Sequence, residues 1–564
     1  MRPNSLAEGP AVGWRFRCRE EAVSDLDHTL LRRVVGGILA PFDRPGSPGV
    51  TIGIVRGREL VLHESAGLAS VELGVPIGPG TTFRIASVSK QFTCAVVLML
   101  AEEGVLSLGD DIRLHVPELA DFGHVVTIDH LMHNTSGIRD MLEIMRIGGC
   151  DLAMPVGRDA LLAGIARQTT LNFPPGSRYL YSNSAFLLLG VIAERVSGMA
   201  LRALLAARIF GPCGMAMTGM VESTDEVVPG LAGGYLPADA GRGVGAWVRA
   251  QHGFALGGEG ALVSSVVDLA LWHRACVTNS LGPNLAVRLE HCAPFTGGAM
   301  NDYARGLRVS AVRGVRTVSH GGLWPGFKTE FLRVPELDAA IIVAANNAAA
   351  NPYAIGQQVL GHLLDGVAGV PRAPGLPAVD VLARHVGRFL DPVGLATVDF
   401  SLSGDGVLSG SCNGVSFAVR ATGDGRLAAA TSARDFCFRL SADGDSMAIE
   451  QGAGEVAIWR RVAPGAALPA GLAGRYRSAE MAATWTISAD SGGMAVAVAG
   501  PVAHAGPWPV EAVAEDVIRV WMPGALYRSW LDVRVVRDGG GAIGGLLANG
   551  NRVKNLAFAR LDEG

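Results

Sequence analysis

The stretch Ile85-Ala86-Ser87-Val88-Ser89-Lys90-Gln91-Phe92-Thr93-Cys94 places a serine three residues before a lysine, where an extended segment changes into a long apolar helix. One helical turn puts both side chains on the same face. A serine hydroxyl is a weak nucleophile that needs a base beside it, and an amine with a lowered pKa in a dry site can be that base. The helix start adds unpaired N–H groups that stabilise an oxyanion. Ser87 and Lys90 are therefore the candidate nucleophile and base.

Lysine is scarce in this chain, which makes the position of Lys90 informative. Lysine and arginine together number 48, and lysine occurs only at positions 90, 328 and 554. Arginine serves elsewhere, but it cannot act as a base because it does not release its proton. Ser-x-x-Lys is a short pattern that also occurs among ordinary surface residues. The scarcity of lysine favours a chemical role for Lys90.

The composition is that of a globular protein of several domains. The chain has 564 residues, of which 49% are hydrophobic and 18% charged, and its formal net charge is −4. This length predicts three or four domains, and the absence of a basic stripe argues against a nucleic-acid or anionic-membrane partner. The longest apolar runs, such as residues 94–101, are too short to span a bilayer.

The cysteines and the N-terminal residues predict a cytoplasmic protein without a metal or other cofactor. The eight cysteines are scattered without a Cys-x-x-Cys pair, which favours free thiols in a reducing compartment. His124, His130 and His133 lack a His-Glu-x-x-His pattern, so solvated or capping histidines are the better interpretation. Residues 1–19 contain arginines but no apolar segment, so we expect no secretory signal, unless a misassigned start codon hides a leader.

Helical and extended patterns surround the Ser-x-x-Lys stretch and predict a catalytic domain at 24–368. The region between 105 and 225 is mostly helical and rich in loops. The other predicted elements are a first helix at 24–41, a helix at Ser264–Arg274 and a closing helix at Pro352–Leu364. Two pairs of strands are also predicted, at Val50–Arg56, Glu59–Glu64, Lys328–Val334 and Ala339–Ala345.

Two further segments of this domain carry polar side chains at element boundaries. Tyr181-Ser182-Asn183 precedes a predicted helix. A phenol near a lysine can relay a proton, and an amide can orient the nucleophile and the substrate carbonyl, although a lone Tyr-x-Asn is usually an ordinary helix start. Residues 317–323 predict a strand edge with His320, Gly321 and Gly322. Glycine in a strand often marks close approach by another backbone or a ligand.

The C-terminal part of the chain contains an internal repeat after a linker rich in proline and glycine at 369–377. Gly387-Arg388-Phe389 returns as Gly474-Arg475-Tyr476, and both copies continue as short alternating strands with Asp-Gly or Gly-Gly turns. Two small antiparallel β-barrels, at 380–463 and 472–564, are the economical interpretation.

Together, Ser87-x-x-Lys90, Tyr181-x-Asn183 and His320-x-Gly322 resemble the motifs of the penicillin-recognising serine hydrolases. This family includes serine β-lactamases, D,D-peptidases, esterases and D-aminopeptidases, and the duplicated C-terminal half is most similar to the bacterial D-aminopeptidases. The resemblance covers about residues 45–365. It implies a β-lactamase-like α/β (α+β) sandwich of an antiparallel sheet with helices and a helical subdomain, followed by two β-barrels.

The resemblance also implies roles for the site residues. Ser87 would be the nucleophile and Lys90 the base, with Tyr181 sharing proton transfer. The reaction would be acylation of Ser87, release of an amine or alcohol, and hydrolysis of the acyl-enzyme. The implied substrate-binding and oxyanion residues are Asn183, His320, Gly322 and Leu323, where the backbone N–H groups of Ser87 and Leu323 form the oxyanion hole.

Two departures from the resemblance bear on the substrate. Many relatives have Lys-Thr-Gly as the third motif, where the ammonium binds a carboxylate, whereas His320 is largely neutral at neutral pH. This favours amides or esters without a nearby carboxylate. In the D-aminopeptidases an acid on a loop of the last barrel binds the substrate amine, but the candidate loop, Met522–Ser529, has no acid. Its candidate specificity residues are Gly524, Ala525, Leu526, Tyr527 and Arg528, unless the loop does not reach the site.

We therefore predict a serine hydrolase, most similar to D-aminopeptidases, that releases N-terminal D-amino acids from peptides or amides. The alternatives are a β-lactamase-related esterase or amidase and a non-hydrolytic, penicillin-binding-like ligand sensor. A binding protein has no need for a buried unpaired lysine, which is costly to keep. The expected partners are a small peptide, amide or ester substrate, with a homodimer left open and neither nucleic acid nor membrane.

Overall fold

The computed structural model describes residues 28–562, except 239–245, 366, 368, 372–373, 423, 431–435, 452–455, 491 and 525–528. The first part of the chain is a mixed α/β domain. Its helices, with the short one that leads into the next domain, are α1 (His28–Leu39), α2 (Lys90–Glu102), α3 (Ile128–Met132), α4 (Met141–Ile147), α5 (Arg158–Ala166), α6 (Asn183–Ser197), α7 (Leu201–Leu205), α8 (Gly211–Cys213), α9 (Val266–Thr278), α10 (Leu285–Leu289), α11 (Pro352–Asp365) and α12 (Val379–Ala383). Its strands are β1 (Val50–Arg56), β2 (Glu59–Ala66), β3 (Leu68–Ser70), β4 (Val75–Pro76), β5 (Phe83–Arg84), β6 (Gly219–Met220), β7 (Tyr235–Pro237), β8 (Trp247–Arg249), β9 (Leu262–Ser264), β10 (Arg308–Val312), β11 (Val315–Trp324), β12 (Phe327–Val334) and β13 (Ala339–Ala345).

The main sheet of this domain is covered by helices on both faces. It is antiparallel, with the strand order β10-β11-β12-β13-β1-β2. Every residue of β13 is buried, which explains its unbroken apolar sequence. Ile341 and Val343 face the core under α1 and α11, while Ala340 and Ile342 face the larger core with α2 and α9. The 3₁₀ turn Ala86–Ser89, which carries Ser87, lies on that second face and runs directly into α2.

Two closed antiparallel barrels follow. Closure removes exposed strand edges, so short strands with one apolar face are sufficient. Phe389 and Tyr476, which the sequence repeat aligns, lie in the cores of the first and the second barrel. The predicted fold class, an α/β sandwich followed by two β-barrels, is confirmed. The strands of the first barrel are β14 (Gly387–Leu390), β15 (Thr397–Leu402), β16 (Leu408–Cys412), β17 (Val415–Ala421), β18 (Leu427–Ala430), β19 (Phe436–Leu440), β20 (Ser446–Gln451) and β21 (Val456–Arg461). Those of the second are β22 (Gly474–Ser478), β23 (Ala483–Asp490), β24 (Gly493–Ala499), β25 (His504–Ala514), β26 (Val517–Met522), β27 (Ser529–Arg537), β28 (Ile543–Asn549) and β29 (Leu556–Arg560).

The second barrel packs directly on the catalytic domain through α4. Ile144 and Ile147 of α4 belong to the apolar core of that barrel, and the indole N–H of Trp485 donates to the carbonyl of Ile147 at 3.3 Å. Near this contact Arg139, only 1% exposed, forms an ion pair with Glu480 at 3.2 Å. The α4 helix is therefore shared between the two domains, and this arrangement brings barrel loops to the candidate site.

The start of α9 differs from the prediction because of a capping residue. The helix expected from Ser264 begins at Val266, since Leu262–Ser264 pairs as strand β9 and Ser265 caps the helix by accepting from the N–H of Asp268. Its C-terminal end at Thr278 lies beyond the predicted Arg274.

Among the described residues, seven cysteines form no disulfide. In the same part of the chain, no group of three or more histidine, cysteine, aspartate or glutamate residues could hold a metal ion. His130 caps α3 by accepting from the N–H of Thr127. Within the described ranges no single helix is long and apolar enough to cross a membrane; Asn183–Ser197 and Leu201–Cys213 meet that test only as a pair bent by 81°.

Candidate active site

The candidate site is a solvent-open cavity of about 890 Å³ between the catalytic domain and the second barrel. Ser87 and Asn183 line it on one side, α4 contributes Glu143 and Arg146, and loops of the barrel contribute Gly524, Asn551 and Arg552. The cavity wall is therefore formed jointly by two domains whose residues are far apart in sequence.

The structure brings together the serine, lysine and tyrosine that the sequence singles out. The Oγ of Ser87 lies 3.1 Å from the Nζ of Lys90 and 2.7 Å from the phenol oxygen of Tyr181. The residue before the nucleophile, Ala86, has a φ of +47°, a left-handed conformation that is strained for a residue with a Cβ. Strain at this point fixes how the serine is presented to the cavity.

Lys90 is completely buried, and its surroundings favour the neutral amine. Its Nζ is 2.8 Å from the Oδ1 of Asn183 and 2.7 Å from the carbonyl oxygen of Glu259. Burial lowers the pKa of Lys90 to about 7, with a further lowering by the guanidinium of Arg552, against the opposing charges of Glu259 and Asp140. The ammonium form donates to both of these oxygens and to the Oγ of Ser87. When the amine is neutral its two N–H bonds can stay with the two oxygens that only accept, which leaves the lone pair for the hydroxyl proton of Ser87.

Tyr181 is placed to donate a proton. Burial raises the pKa of its phenol, although the nearby Arg552 and the hydrogen bond to Ser87 act in the opposite direction. The phenol therefore keeps its proton at neutral pH and donates it to the Oγ of Ser87. Ser87 thus has an acceptor for its own proton on one side and a donor on the other.

Asp140 is a part of the site that the sequence did not identify. It is fully buried, and its Oδ2 accepts from the backbone N–H and the side-chain amide of Asn183 at 2.7 and 2.8 Å. This turns the amide oxygen of Asn183 towards Lys90. Asn183 therefore orients the lysine, whereas the sequence predicted that it orients the nucleophile and the substrate carbonyl. Asp140 ends a segment of small and polar residues, 133–140, and also caps α4.

The residues of the third motif and its neighbour Leu323 lie at different depths in the site. Leu323 is on the cavity wall with Ser87 and is 42% exposed. Gly322 is buried, and a Cβ there would come within 2.2 Å of the carbonyl oxygen of Ile85. The close approach that the sequence predicted is thus made by the segment before Ser87. The assignment of the N–H groups of Ser87 and Leu323 to an oxyanion hole stays a prediction.

His320 does not line the cavity, contrary to the expectation of a substrate-binding histidine. It is 6% exposed, and its Nδ1 donates to the carbonyl of Gly321 at 2.7 Å while its Nε2 accepts from the hydroxyl of Tyr303 at 2.9 Å. Burial and the neighbouring Lys90 lower the pKa of His320 to about 3. It is therefore a neutral residue behind the wall, where it holds Tyr303.

The predicted specificity loop reaches the cavity at Gly524, the first of its candidate specificity residues. Gly524 lines the cavity, and Arg146 of α4 donates to the carbonyl of Pro523 and to the hydroxyl of Ser529, at 3.2 and 2.8 Å. Both flanks of the loop are thus fixed to the catalytic domain. Ala525, Leu526, Tyr527 and Arg528 lie outside the described residues.

A second barrel loop, Gly550–Asn555 between β28 and β29, was missed by sequence reasoning. Its Arg552 lines the cavity, with the Cζ 4.7 Å from the ring centroid of Tyr181. The sequence does mark this loop through Lys554, which is one of only three lysines in the chain. In the structure the Nζ of Lys554 donates to the carbonyl of Gly550 at 2.6 Å. The scarcity of lysine marked this loop, but the role of Lys554 is to close the loop rather than to do chemistry.

The chain is similar to known proteins in sequence and in structure. A family model described as Beta-lactamase matches residues 31–364. A D-aminopeptidase from Cereibacter sphaeroides is 31% identical over 312 residues, which are 54% of this chain and 57% of that protein. The match thus spans little more than half of that relative's length.

Two solved structures share the fold. The octameric penicillin-binding protein homologue from Pyrococcus abyssi superposes with a TM-score of 0.55 and 23% identity, over 77% of this chain and 100% of that one. The D-amino acid amidase from Ochrobactrum anthropi SV3, solved with L-phenylalanine amide, has a TM-score of 0.51 and 22% identity, over 60% of this chain and 98% of that one. At these identities the likeness shows the fold alone.

Proposed function

The chain belongs to the beta-lactamase family, and from that premise we propose that it is a serine hydrolase that cleaves D-aminoacyl peptides or amides through an acyl-enzyme on Ser87. The observation that carries the proposal is the set of contacts around Lys90. Two oxygens that can only accept, on Asn183 and Glu259, take up the N–H bonds of the neutral amine, so that its lone pair faces the serine. A ligand sensor has no need for an amine poised as a base.

The proposed reaction uses each of the three groups once in acylation. Lys90 takes the hydroxyl proton of Ser87 as Oγ attacks the substrate carbonyl. The phenol of Tyr181 gives its proton to the leaving nitrogen as the carbon–nitrogen bond breaks, and the proton held by Lys90 restores the phenol. Water then attacks the ester on Ser87, releases the D-amino acid and returns the hydroxyl proton.

The substrate class rests on the relatives and on the cavity. The relative that is similar in sequence is a D-aminopeptidase. Asp151 also lines the cavity, and its acidic side chain offers negative charge for the α-ammonium of an N-terminal residue. The cavity therefore has an acidic residue although the loop at 522–529 has none.

Hydrolysis of three matched substrates tests this function. We expect the wild type to cleave D-alanine p-nitroanilide faster than L-alanine p-nitroanilide, and the Ser87→Ala variant to cleave neither. Release of p-nitroaniline is measured directly by absorbance. p-Nitrophenyl butyrate is the third substrate: Ser87-dependent cleavage of this ester alone would overturn the D-aminoacyl assignment in favour of an esterase.

The pH dependence of the reaction tests the role of Lys90. The base must be neutral, and its pKa is lowered to about 7. We therefore expect kcat/KM to rise with pH through about 7 and then to level off, with a value at pH 5 that is about 100-fold below the plateau. p-Nitrophenyl butyrate is the right probe because it has no amine that titrates in this range. A profile that keeps rising to pH 10 would contradict a depressed lysine pKa.

A further inference from the structure

Arg552 places a permanent positive charge beside the proton donor of the proposed reaction. Its Cζ is 4.7 Å from the ring centroid of Tyr181, and its Nη1 is 3.7 Å from the Oδ2 of Asp140. The side chain is 26% exposed and lines the same cavity as Ser87. A guanidinium remains charged at any pH at which the enzyme works. The cation is therefore a fixed feature of the cavity wall.

Side chains of the catalytic domain hold the backbone on both sides of Arg552. Glu143 accepts from the backbone N–H groups of Asn551 and Arg552. Asn172 donates to the carbonyl of Arg552 at 3.1 Å and accepts from the N–H of Lys554 at 2.7 Å. A loop that is held at each of these points presents its side chain in a defined place. This preorganisation is what a binding site for a ligand requires.

The position of Arg552 relative to Tyr181 defines the part of the substrate that it meets. Tyr181 donates towards the Oγ of Ser87 and, in the proposed reaction, protonates the leaving nitrogen. The leaving group therefore passes along the phenol that Arg552 contacts. When the leaving group is an amino acid, its α-carboxylate is only two covalent bonds from that nitrogen. A carboxylate in this place comes within reach of the guanidinium.

Other titratable side chains near Arg552 have different roles in the described part of the structure. Asp140 is committed to Asn183, and Glu143 to the backbone of the Arg552 loop. His320 is neutral and lies behind the wall. Arg146, the other arginine of the wall, is bound to Pro523 and Ser529. Guanidinium groups bind carboxylates through two parallel hydrogen bonds, which gives both charge and geometric selectivity.

We propose that Arg552 binds the free α-carboxylate of the leaving residue, so that the preferred substrates are dipeptides with an N-terminal D-residue. This proposal rests on the proposed function and specifies its substrate class. It replaces the expectation, drawn from the neutral His320, of substrates without a nearby carboxylate. The cation of the third motif in other family members is here supplied by a barrel loop.

The test compares a dipeptide with its capped form. D-Alanyl-L-alanine and D-alanyl-L-alanine amide differ only at the C-terminal carboxylate, and kcat/KM is measured for both at pH 8, where most of Lys90 is neutral and part of the substrate α-amine is still protonated. We expect the wild type to prefer the free dipeptide by about 10- to 100-fold. Arg552→Gln should lose that preference, because its KM should rise much more for the free dipeptide than for the amide. Arg552→Lys, which keeps the charge, should restore part of the preference.

Controls separate this proposal from a structural effect and from the proposed function. Arg537→Gln changes an arginine of the same barrel that pairs with Asp516 and does not line the cavity, so it should keep the preference. Equal rates of the wild type on both substrates would overturn the proposal, as would equal losses on both in Arg552→Gln. If no D-aminoacyl substrate is cleaved in a Ser87-dependent way, the proposed function itself fails.

Discussion

Lys90→Met should lower kcat/KM by about 10⁴-fold, because it removes the amine that is placed to take the proton of Ser87 while keeping a side chain of similar length. Lys90→Arg should be equally inactive, since arginine keeps the charge but does not release a proton. Activity is measured with D-alanine p-nitroanilide, over a range of pH that includes the plateau.

The control for this experiment is Lys328→Met. Lys328 is another of the rare lysines, and its Nζ donates to the carbonyl of Ala350 at 3.0 Å, away from the cavity. Lys328→Met should retain the kcat/KM of the wild type. Activity within a few-fold of the wild type in Lys90→Met would remove Lys90 from the mechanism.

Lys90→Met should also change how the free energy of unfolding depends on pH. The folded-state pKa of Lys90, about 7, lies below the unfolded value of about 10.4. Burying Lys90 therefore carries a free-energy cost that is fully present below about pH 7, where its ammonium is charged in both states, and that disappears as the pH rises through about 10. Relative to the wild type, Lys90→Met should be most favoured at pH 7 and lose that advantage towards pH 10. Urea unfolding at several pH values measures the difference, and a difference that does not vary with pH would contradict it.

Arg139→Met should lower the free energy of unfolding by about 3 to 5 kcal/mol, because it leaves the carboxylate of Glu480 without its buried partner. Arg139 also donates to the side chain and carbonyl of Thr170 and to the carbonyl of Lys554. It therefore links the catalytic domain to the loop that carries Arg552. We expect kcat/KM to fall as well, and tryptophan fluorescence during urea unfolding gives the stability.

A surface ion pair provides the comparison for Arg139. Arg537→Met removes a partner of Asp516 at an exposed position and should cost less than about 1 kcal/mol. A double-mutant cycle with Glu480→Gln isolates the pair from the other contacts of Arg139. If Arg139→Met costs no more than Arg537→Met, the contact with Glu480 does not hold the domains together.

The sequence was most informative where function depends on local spacing. Ser87 and Lys90 are one helical turn apart, and a turn brings their side chains together whatever the rest of the fold does. Tyr181 could be identified because it precedes a helix with an unmistakable apolar face. The repeat of Phe389 and Tyr476 likewise predicted two barrels, since each copy contains its own core.

The residues that the sequence missed depend on how separate parts of the chain dock. Asp140 carries no motif of its own, and its role follows only from the contact with Asn183. Arg552 reaches Tyr181 because α4 inserts Ile144 and Ile147 into the barrel core. A pattern of alternating strands defines a barrel, but it does not define which of the barrel's loops faces a neighbour. His320 was assigned to the substrate for the opposite reason, since a strand pattern does not show how deep a side chain lies.

The shared cavity wall has a consequence for how the enzyme is made. During synthesis the catalytic domain leaves the ribosome before the second barrel, and domains generally fold as units in that order. The serine, lysine and tyrosine can then be in place while the wall that holds Arg552 has yet to be translated. Under the two proposals above, a nascent chain has the chemistry but not the selectivity, and discrimination between substrates appears only when β28 and β29 have closed the barrel.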